Sequence, residues 1–249
     1  MIQHFTLRLV QSLMLAPTVR HFAFERVDGE PLQFQPGQFI QIHFSYPDGK
    51  PTKRSYSIAT LPIAALGSIS RIEIAVSFVP GGAASDLLEH LMVGDTVAAS
   101  GPYGRFVLFN QDRNRRYLLV ATGTGITPYR AMLTHLEAMM QQRELEVVLL
   151  YGARNPEELL YDKEFAAFAR EHPGFRFVPC LSRQMRSCPG PDERRGYVQA
   201  VLPEFDPNPE GDIVYLCGNP NMVDATFATL KEAGFPVAHL RREKYVSAR

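Results

Sequence analysis

Arg54-Ser55-Tyr56-Ser57 sets a guanidinium, an aromatic ring and two hydroxyls in a row at the end of an apolar, turn-bounded run. In an extended strand the period of two brings Arg54 and Tyr56 to one face. A guanidinium grips a phosphate with paired donors, and a tyrosine ring stacks on a flat ring system while a neighbouring hydroxyl bonds its edge. A surface arginine beside a half-buried tyrosine is the plain alternative. A second cluster, Ala121-Thr122-Gly123-Thr124-Gly125-Ile126-Thr127-Pro128, joins an apolar run to a helical one. Gly123 and Gly125 let the backbone bend and approach a ligand closely, and free amides at a helix start attract an anion such as a pyrophosphate. Pro128 suits the first helical turn, where its missing N–H costs nothing. An ordinary tight strand-to-helix turn would use the same residues.

Cys217 ends another apolar run. Its small polarizable side chain is either core filler or a contact for a planar ligand. The three cysteines, Cys180, Cys188 and Cys217, are an odd number at wide spacing, unlike a disulfide framework or a CxxC metal pair. No built-in zinc or iron–sulfur cluster is expected, so electrons leaving a redox group must go to a separate molecule.

The elements that would carry these residues fall into two halves. From His4 to about Phe109, short runs such as HFTLRLV, HFAFERV, GQFIQIHF, SYSIAT, RIEIAVSFV and DTVAAS alternate or are apolar between turn residues. They predict an antiparallel β-barrel, with a sandwich as the alternative, interrupted by one helix starting near Ser85 and running through Leu87, Leu88, Leu91 and Met92. After the polar stretch NQDRNRR, apolar strands alternate with amphipathic helices, the pattern of a parallel sheet covered on both faces. One such helix is expected across PEELLYDKEFAAFAREH. In parallel sheets ligands bind at the carboxyl ends of the strands, where the strand order reverses. Two domains are therefore expected, 1–112 and 113–249.

The 249 residues suit two medium domains, and 45% hydrophobic with 21% charged residues is an ordinary globular composition. A formal net charge of zero gives no global field for nucleic acid. The opening MIQHFTLRLVQ lacks a basic n-region, and no apolar run approaches the ~18 residues of a membrane span, so a cytoplasmic protein with no membrane partner is expected.

RSYSIA, preceded by Pro36-Gly37-Gln38-Phe39, resembles the FAD-binding signature of the ferredoxin–NADP reductase family, in its bacterial type. The resemblance extends to Gly81-Gly82-Ala83-Ala84-Ser85, to GDTV and GPYG around Gly94 and Gly101, to Gly123–Pro128 and to Cys217-Gly218-Asn219-Pro220-Asn221-Met222. It implies an N-terminal FAD-binding barrel and a C-terminal α/β domain for NADP(H). Arg54 would bind the FAD pyrophosphate within the stretch that includes Ser55, Tyr56 would stack on the isoalloxazine, and Ser57 would hydrogen-bond near its redox nitrogen. Gly82, Ala83, Ala84 and Ser85 would cradle the pyrophosphate, with Ser85 serving equally as an N-cap. Gly123, Thr124, Gly125 and Thr127 would form the nicotinamide-cofactor loop, and Cys217, Gly218 and Met222 would lie in the motif beside the nicotinamide. Tyr245, in the tail RREKYVSAR, resembles the aromatic residue covering the second flavin face, with four residues after it; a surface tyrosine at a frayed terminus is the alternative.

Choice of NADP over NAD turns on basic residues after the second and third strands of the sheet. Arg154, the pair Ser182-Arg183, and Arg195 with Tyr197 are the candidates; the resemblance implies that Ser182-Arg183 and Arg195 with Tyr197 hold the 2′-phosphate and stack on the adenine, whereas NAD enzymes usually offer an acidic residue. For Arg194 and Arg195 a solvated basic loop is the plain alternative. The implied activity is that of a ferredoxin–NADP reductase, with NADPH exchanging hydride with FAD and a ferredoxin or flavodoxin exchanging single electrons after transient, electrostatically steered docking. The alternatives are an NAD(P)H:flavin reductase, an oxygenase reductase component, and a silent flavin-binding regulatory module.

Overall fold

A computed structural model of the chain describes residues 2–46, 48–62 and 67–245. It divides into two compact units. One comprises the chain through Leu108 with Thr127–His135, and the other Phe109–Ile126 with the chain from Leu136 onward.

The first unit is built from β1 (Gln3–Ala16), β2 (Val19–Arg26), β3 (Leu32–Phe34), β4 (Phe39–Ser45), β5 (Pro51–Ser57), β6 (Gly67–Ile69), β7 (Arg71–Ser77), the helix α1 (Ala83–Glu89) and β8 (Thr96–Tyr103). Six of the strands form one antiparallel sheet in the order β5-β4-β8-β1-β2-β7, and β3 pairs with β6. The two edges meet through an antiparallel bridge, Ile58↔Ile74, and Ala59 N–H donates to the Glu73 carbonyl at 2.7 Å. That seam closes the sheet into the expected barrel, which disposes of the open edges. Alternation supplies the interior: Phe5, Leu7, Leu9, Phe22, Phe24, Ile40, Ile42, Ile72, Ile74 and Val97 are all buried in one cluster. Thr127–His135 belongs to the same unit. Ala131 joins the cluster, and Arg130 Nη1 donates to the Ala59 carbonyl and pairs with Glu73 Oε2, each at 2.7 Å.

The helix α1 is shorter than its pattern suggested. It starts at Ala83, before Ser85, ends at Glu89, and leaves Met92 70% exposed beyond it. Leu91 is half-buried against the barrel core without being helical. Apolar spacing reported burial there, and burial outlasts the helix.

The second unit contains β9 (Arg116–Thr122), α2 (Thr127–Gln142), β10 (Glu146–Ala153), α3 (Asp162–Glu171), β11 (Phe175–Leu181), β12 (Arg194–Arg195), α4 (Val198–Val201), β13 (Asp212–Gly218), α5 (Pro220–Glu232) and β14 (Leu240–Lys244), with the first half of α2 belonging to the first unit. All its strands are parallel, in the order β12-β11-β10-β9-β13-β14. The order reverses at β9: β10 lies on one side and β13 on the other, so the carboxyl ends of β9 and β13 form the switch point.

Two elements depart from the sequence pattern. The helix expected over residues 156–172 is broken into a 3-10 turn, Pro156–Glu158, and α3, because Leu159 and Leu160 turn inward and Tyr161 adopts φ 55°. Leu160 N–H donates to the buried Tyr151 hydroxyl at 3.2 Å, which fixes that break. The stretch Leu240–Lys244, four of whose five residues are charged, is an edge strand beside β13, with Asp224 accepting from Lys244 Nζ at 2.7 Å. Charge on an edge strand suppresses further pairing, and it conceals the strand from hydrophobic patterning.

Candidate functional site

In the first unit the β4–β5 register sets Arg54 opposite Ile42 and Tyr56 opposite Ile40, so the two candidate groups share a face with core isoleucines. Tyr56 packs on the core, and burial pushes its phenol up to about 12, the Arg54 charge opposing. It is a neutral ring at any working pH. Ser57 points to the other face and is buried, while Ser55 is exposed and its hydroxyl accepts weakly from Gln41 Nε2 at 3.4 Å. Arg54 donates to its neighbour's carbonyl, Lys53 O, at 2.9 Å and to the Tyr46 hydroxyl at 3.4 Å, with no carboxylate partner among the described residues. A half-buried guanidinium with most of its five N–H groups unspent is suited to a phosphate.

Gly82, Ala83, Ala84 and Ser85 form the entry to α1. The N-cap is Gly82, not Ser85; the Ser85 hydroxyl instead accepts from Val79 N–H at 2.8 Å and ties the preceding loop to the helix. The chain turns helical two residues earlier than expected, which moves the serine inside the first turn.

In the second unit β9 runs into a 3-10 turn, Gly123–Ile126, before α2 begins with proline in its first turn. Gly123 has φ 55° and open space around its α-carbon, as a ligand-facing glycine requires. Gly125 serves differently. A Cβ there would stand 2.6 Å from the Cys217 carbonyl carbon, so this glycine lets the loop press on the end of β13 rather than on a ligand. Gly218, at φ 126°, is equally confined: a Cβ would lie 2.6 Å from Thr122 Oγ1, which also accepts from Asn219 N–H at 3.0 Å. Thr124 is half-buried in the same turn. Thr127, where the chain returns to the first unit, is buried, and among the described residues its Oγ1 has no hydrogen-bond partner.

Cys217 is fully buried, and burial holds its thiol well above the ordinary range, with Glu243 acting in the same direction and a hydrogen bond from Tyr245 opposing. A thiol so disposed is a packing group, not a nucleophile. Tyr245 is brought there by its backbone, whose N–H donates to Gly218 O at 2.9 Å; the four residues after it lie outside the described residues. Glu243, opposite Cys217 in the β13–β14 register, is a carboxylate the sequence analysis passed over, because nothing marked Leu240–Lys244 as a strand. Met222 lies in the hydrophobic core, held by a 3.4 Å bond from its N–H to Asn219 Oδ1.

The basic candidates gather at neighbouring strand ends, since β11 lies between β10 and β12. They are not equivalent. Arg154 is committed to Glu158, at 2.6 Å, and Arg194 to Glu204, at 3.0 Å. Arg183 and Arg195 are exposed, with no acidic partner among the described residues. Ser182 sits beside them, bonded to Ala153 O, and Tyr197 is 66% exposed at the N-cap of α4.

Residues 6–108 match the oxidoreductase FAD-binding domain family, and residues 119–227 the oxidoreductase NAD-binding domain family. The chain is 38% identical to ferredoxin–NADP reductase B of Sorangium cellulosum (strain So ce56) over 97% of both chains. The chain belongs to the ferredoxin–NADP reductase family. Within that family it is also 34% identical to the reductase subunit of an aromatic O-demethylase from Amycolatopsis sp. (strain ATCC 39116 / 75iv2), over 88% of this chain and 63% of that one. The crystal structure of the Amycolatopsis cytochrome P450 reductase GcoB superposes with a TM-score of 0.84 at 32% identity, covering 100% of this chain and 71% of that chain. As a member of the ferredoxin–NADP reductase family the protein is an oxidoreductase that binds FAD and a nicotinamide dinucleotide. Its own residues fit both groups. Among the described residues Arg54 offers a guanidinium without a carboxylate, and Thr127 holds a buried oxygen without a partner at the end of the glycine loop.

Proposed function

We propose that the protein is a ferredoxin–NADP reductase, exchanging hydride between NADPH and FAD and single electrons with a ferredoxin or flavodoxin. The reading is carried by the relative of that name, which matches over 97% of both lengths. FAD, when bound, takes two electrons as hydride and returns them one at a time.

Arg54 grips the FAD diphosphate with the amides of Ala83, Ala84 and Ser85 as further donors, since the first turn of a helix has no internal acceptors for them, while Gly82, whose N–H donates to Val79 O at 3.0 Å, shapes the entry. Tyr56 supplies a neutral stacking ring, and the Ser57 hydroxyl bonds the flavin edge. Gly123, Thr124 and Thr127 meet the nicotinamide dinucleotide, with Gly125 and Gly218 shaping the loop and strand end. Cys217 packs the strand end as an uncharged thiol that keeps water out. Tyr245 bonds that thiol and stacks on whichever ring occupies the place beside it. Ser182, Arg183 and Arg195 hold the 2′-phosphate, and Tyr197 stacks on the adenine; these free basic groups favour NADPH over NADH. Arg154, already paired, has a smaller part.

Anaerobic titration of the yellow holoprotein with NADPH and with NADH tests the cofactor choice: bleaching at far lower NADPH concentration is expected, and equal response would overturn it. Cytochrome c reduction with and without added ferredoxin or flavodoxin tests the acceptor. Stimulation that falls with ionic strength is expected from a steered carrier. The second reading, an oxygenase reductase component, is favoured by the 34% identity to the demethylase reductase subunit. It would be supported if neither carrier stimulated turnover.

A further inference from the structure

Phe44, Tyr46, Thr52 and Arg54 form a small polar–aromatic group at the turn joining β4 to β5. The turn is closed by Tyr46 N–H to Lys50 O at 2.9 Å and Gly49 N–H to Tyr46 O at 2.8 Å. Phe44 stands opposite Thr52 in the strand register. The Phe44 and Tyr46 rings meet edge to face at 6.3 Å, and the Arg54 guanidinium carbon lies 6.0 Å from the Phe44 ring centre. The Tyr46 hydroxyl accepts from Arg54 Nη2 at 3.4 Å, and the Thr52 side chain together with this guanidinium holds the phenol below its ordinary range.

A phenol oxygen that accepts from a guanidinium still has its own proton to offer. Tyr46 is 39% exposed, and the guanidinium beside it also has only N–H groups to give. Two adjacent side chains that each have a donor to give define a place for an anion. We propose that Tyr46 is a positioning residue for FAD: its phenol aims the Arg54 guanidinium at the diphosphate and donates its own proton to the same group. This inference rests on the reading that Arg54 grips the FAD diphosphate, and it adds a second donor from the opposite arm of the hairpin.

The test reconstitutes apoprotein with FAD for the wild type, Tyr46→Phe and Arg54→Ala, and records the 31P spectrum of each holoprotein. Removing one hydrogen bond to a charged acceptor should weaken FAD binding about tenfold in Tyr46→Phe, with a displaced diphosphate resonance and an unchanged melting temperature of the apoprotein. Wild-type FAD affinity in Tyr46→Phe, or weakened binding with a superimposable 31P spectrum, would overturn the proposal. The Arg54→Ala arm separates the two levels of the argument. If it too binds FAD normally, the diphosphate reading of Arg54 has failed; if it alone loses affinity, only the role of Tyr46 has.

Discussion

In the barrel the candidate groups are side chains on one strand and its hairpin partner, Arg54, Tyr56, Ser57 and Tyr46, standing on a backbone that any barrel strand would adopt. In the parallel sheet the decisive features are backbone ones: Gly125 pressed on the Cys217 carbonyl, Gly218 on Thr122, and a strand end with no room for a Cβ. The first kind of site can lose its ligand and keep its fold. The second cannot be altered without moving the strands that make it.

That contrast orders the expected effects. Gly125→Ala should be the most damaging change, since the new methyl has nowhere to go and overpacking of this kind costs about 1–3 kcal/mol. NADPH-dependent reduction should fall at least about tenfold with a lower melting temperature, while FAD remains bound; retention of wild-type turnover would break the comparison. Arg54→Ala should weaken FAD binding by about 10–100-fold, as loss of charge-assisted hydrogen bonds implies, and leave the melting temperature of the apoprotein unchanged. A matching fall in both would make Arg54 a structural group and erase the distinction. Arg183→Ala with Arg195→Ala should raise KM for NADPH about tenfold or more and leave KM for NADH alone, whereas a parallel loss for both would remove the 2′-phosphate assignment.

The smallest effect is electrostatic. His21, His43 and His135 are all held below the ordinary histidine value of 6.5, chiefly by burial; at His21 the attraction of Glu73 opposes that shift, and Arg130 and Arg71 reinforce it. The unfolded chain therefore takes up protons that the folded one refuses. Stability is complete above pH 6.5 and declines as pH falls from there through the lowered values, which urea midpoints measured between pH 7.5 and 5 would register. A midpoint that rises on acidification would contradict the burial of these rings.

The barrel and the parallel sheet were legible because their cores alternate or run continuously apolar, as at RIEIAVS and EVVLLYG. Glycine loops were legible as loops but not as to purpose: only the neighbouring strand reveals that Gly125 faces Cys217 and Gly123 faces open space. Pairing between charged side chains left no trace in the sequence pattern, so Arg154, tied to Glu158, and Arg195, exposed, read alike. The charged edge strand Leu240–Lys244 was hidden for the same reason, and with it Glu243. That Met222, in its motif, packs in the core follows from its position on α5, which the motif alone does not give.

The Ile58↔Ile74 bridge, Ala59 N–H to Glu73 O and the Thr60 hydroxyl bonds to Arg71 O and Glu73 N–H fasten the barrel along one short clasp just past the strand that carries Arg54, Tyr56 and Ser57. Such a strand is free to breathe along its unfastened length, and its amides should exchange with deuterium sooner than those of β1 or β2, which are flanked on both sides. Bound flavin lying along it would act as a second clasp, so that saturation with FAD slows exchange there first and most.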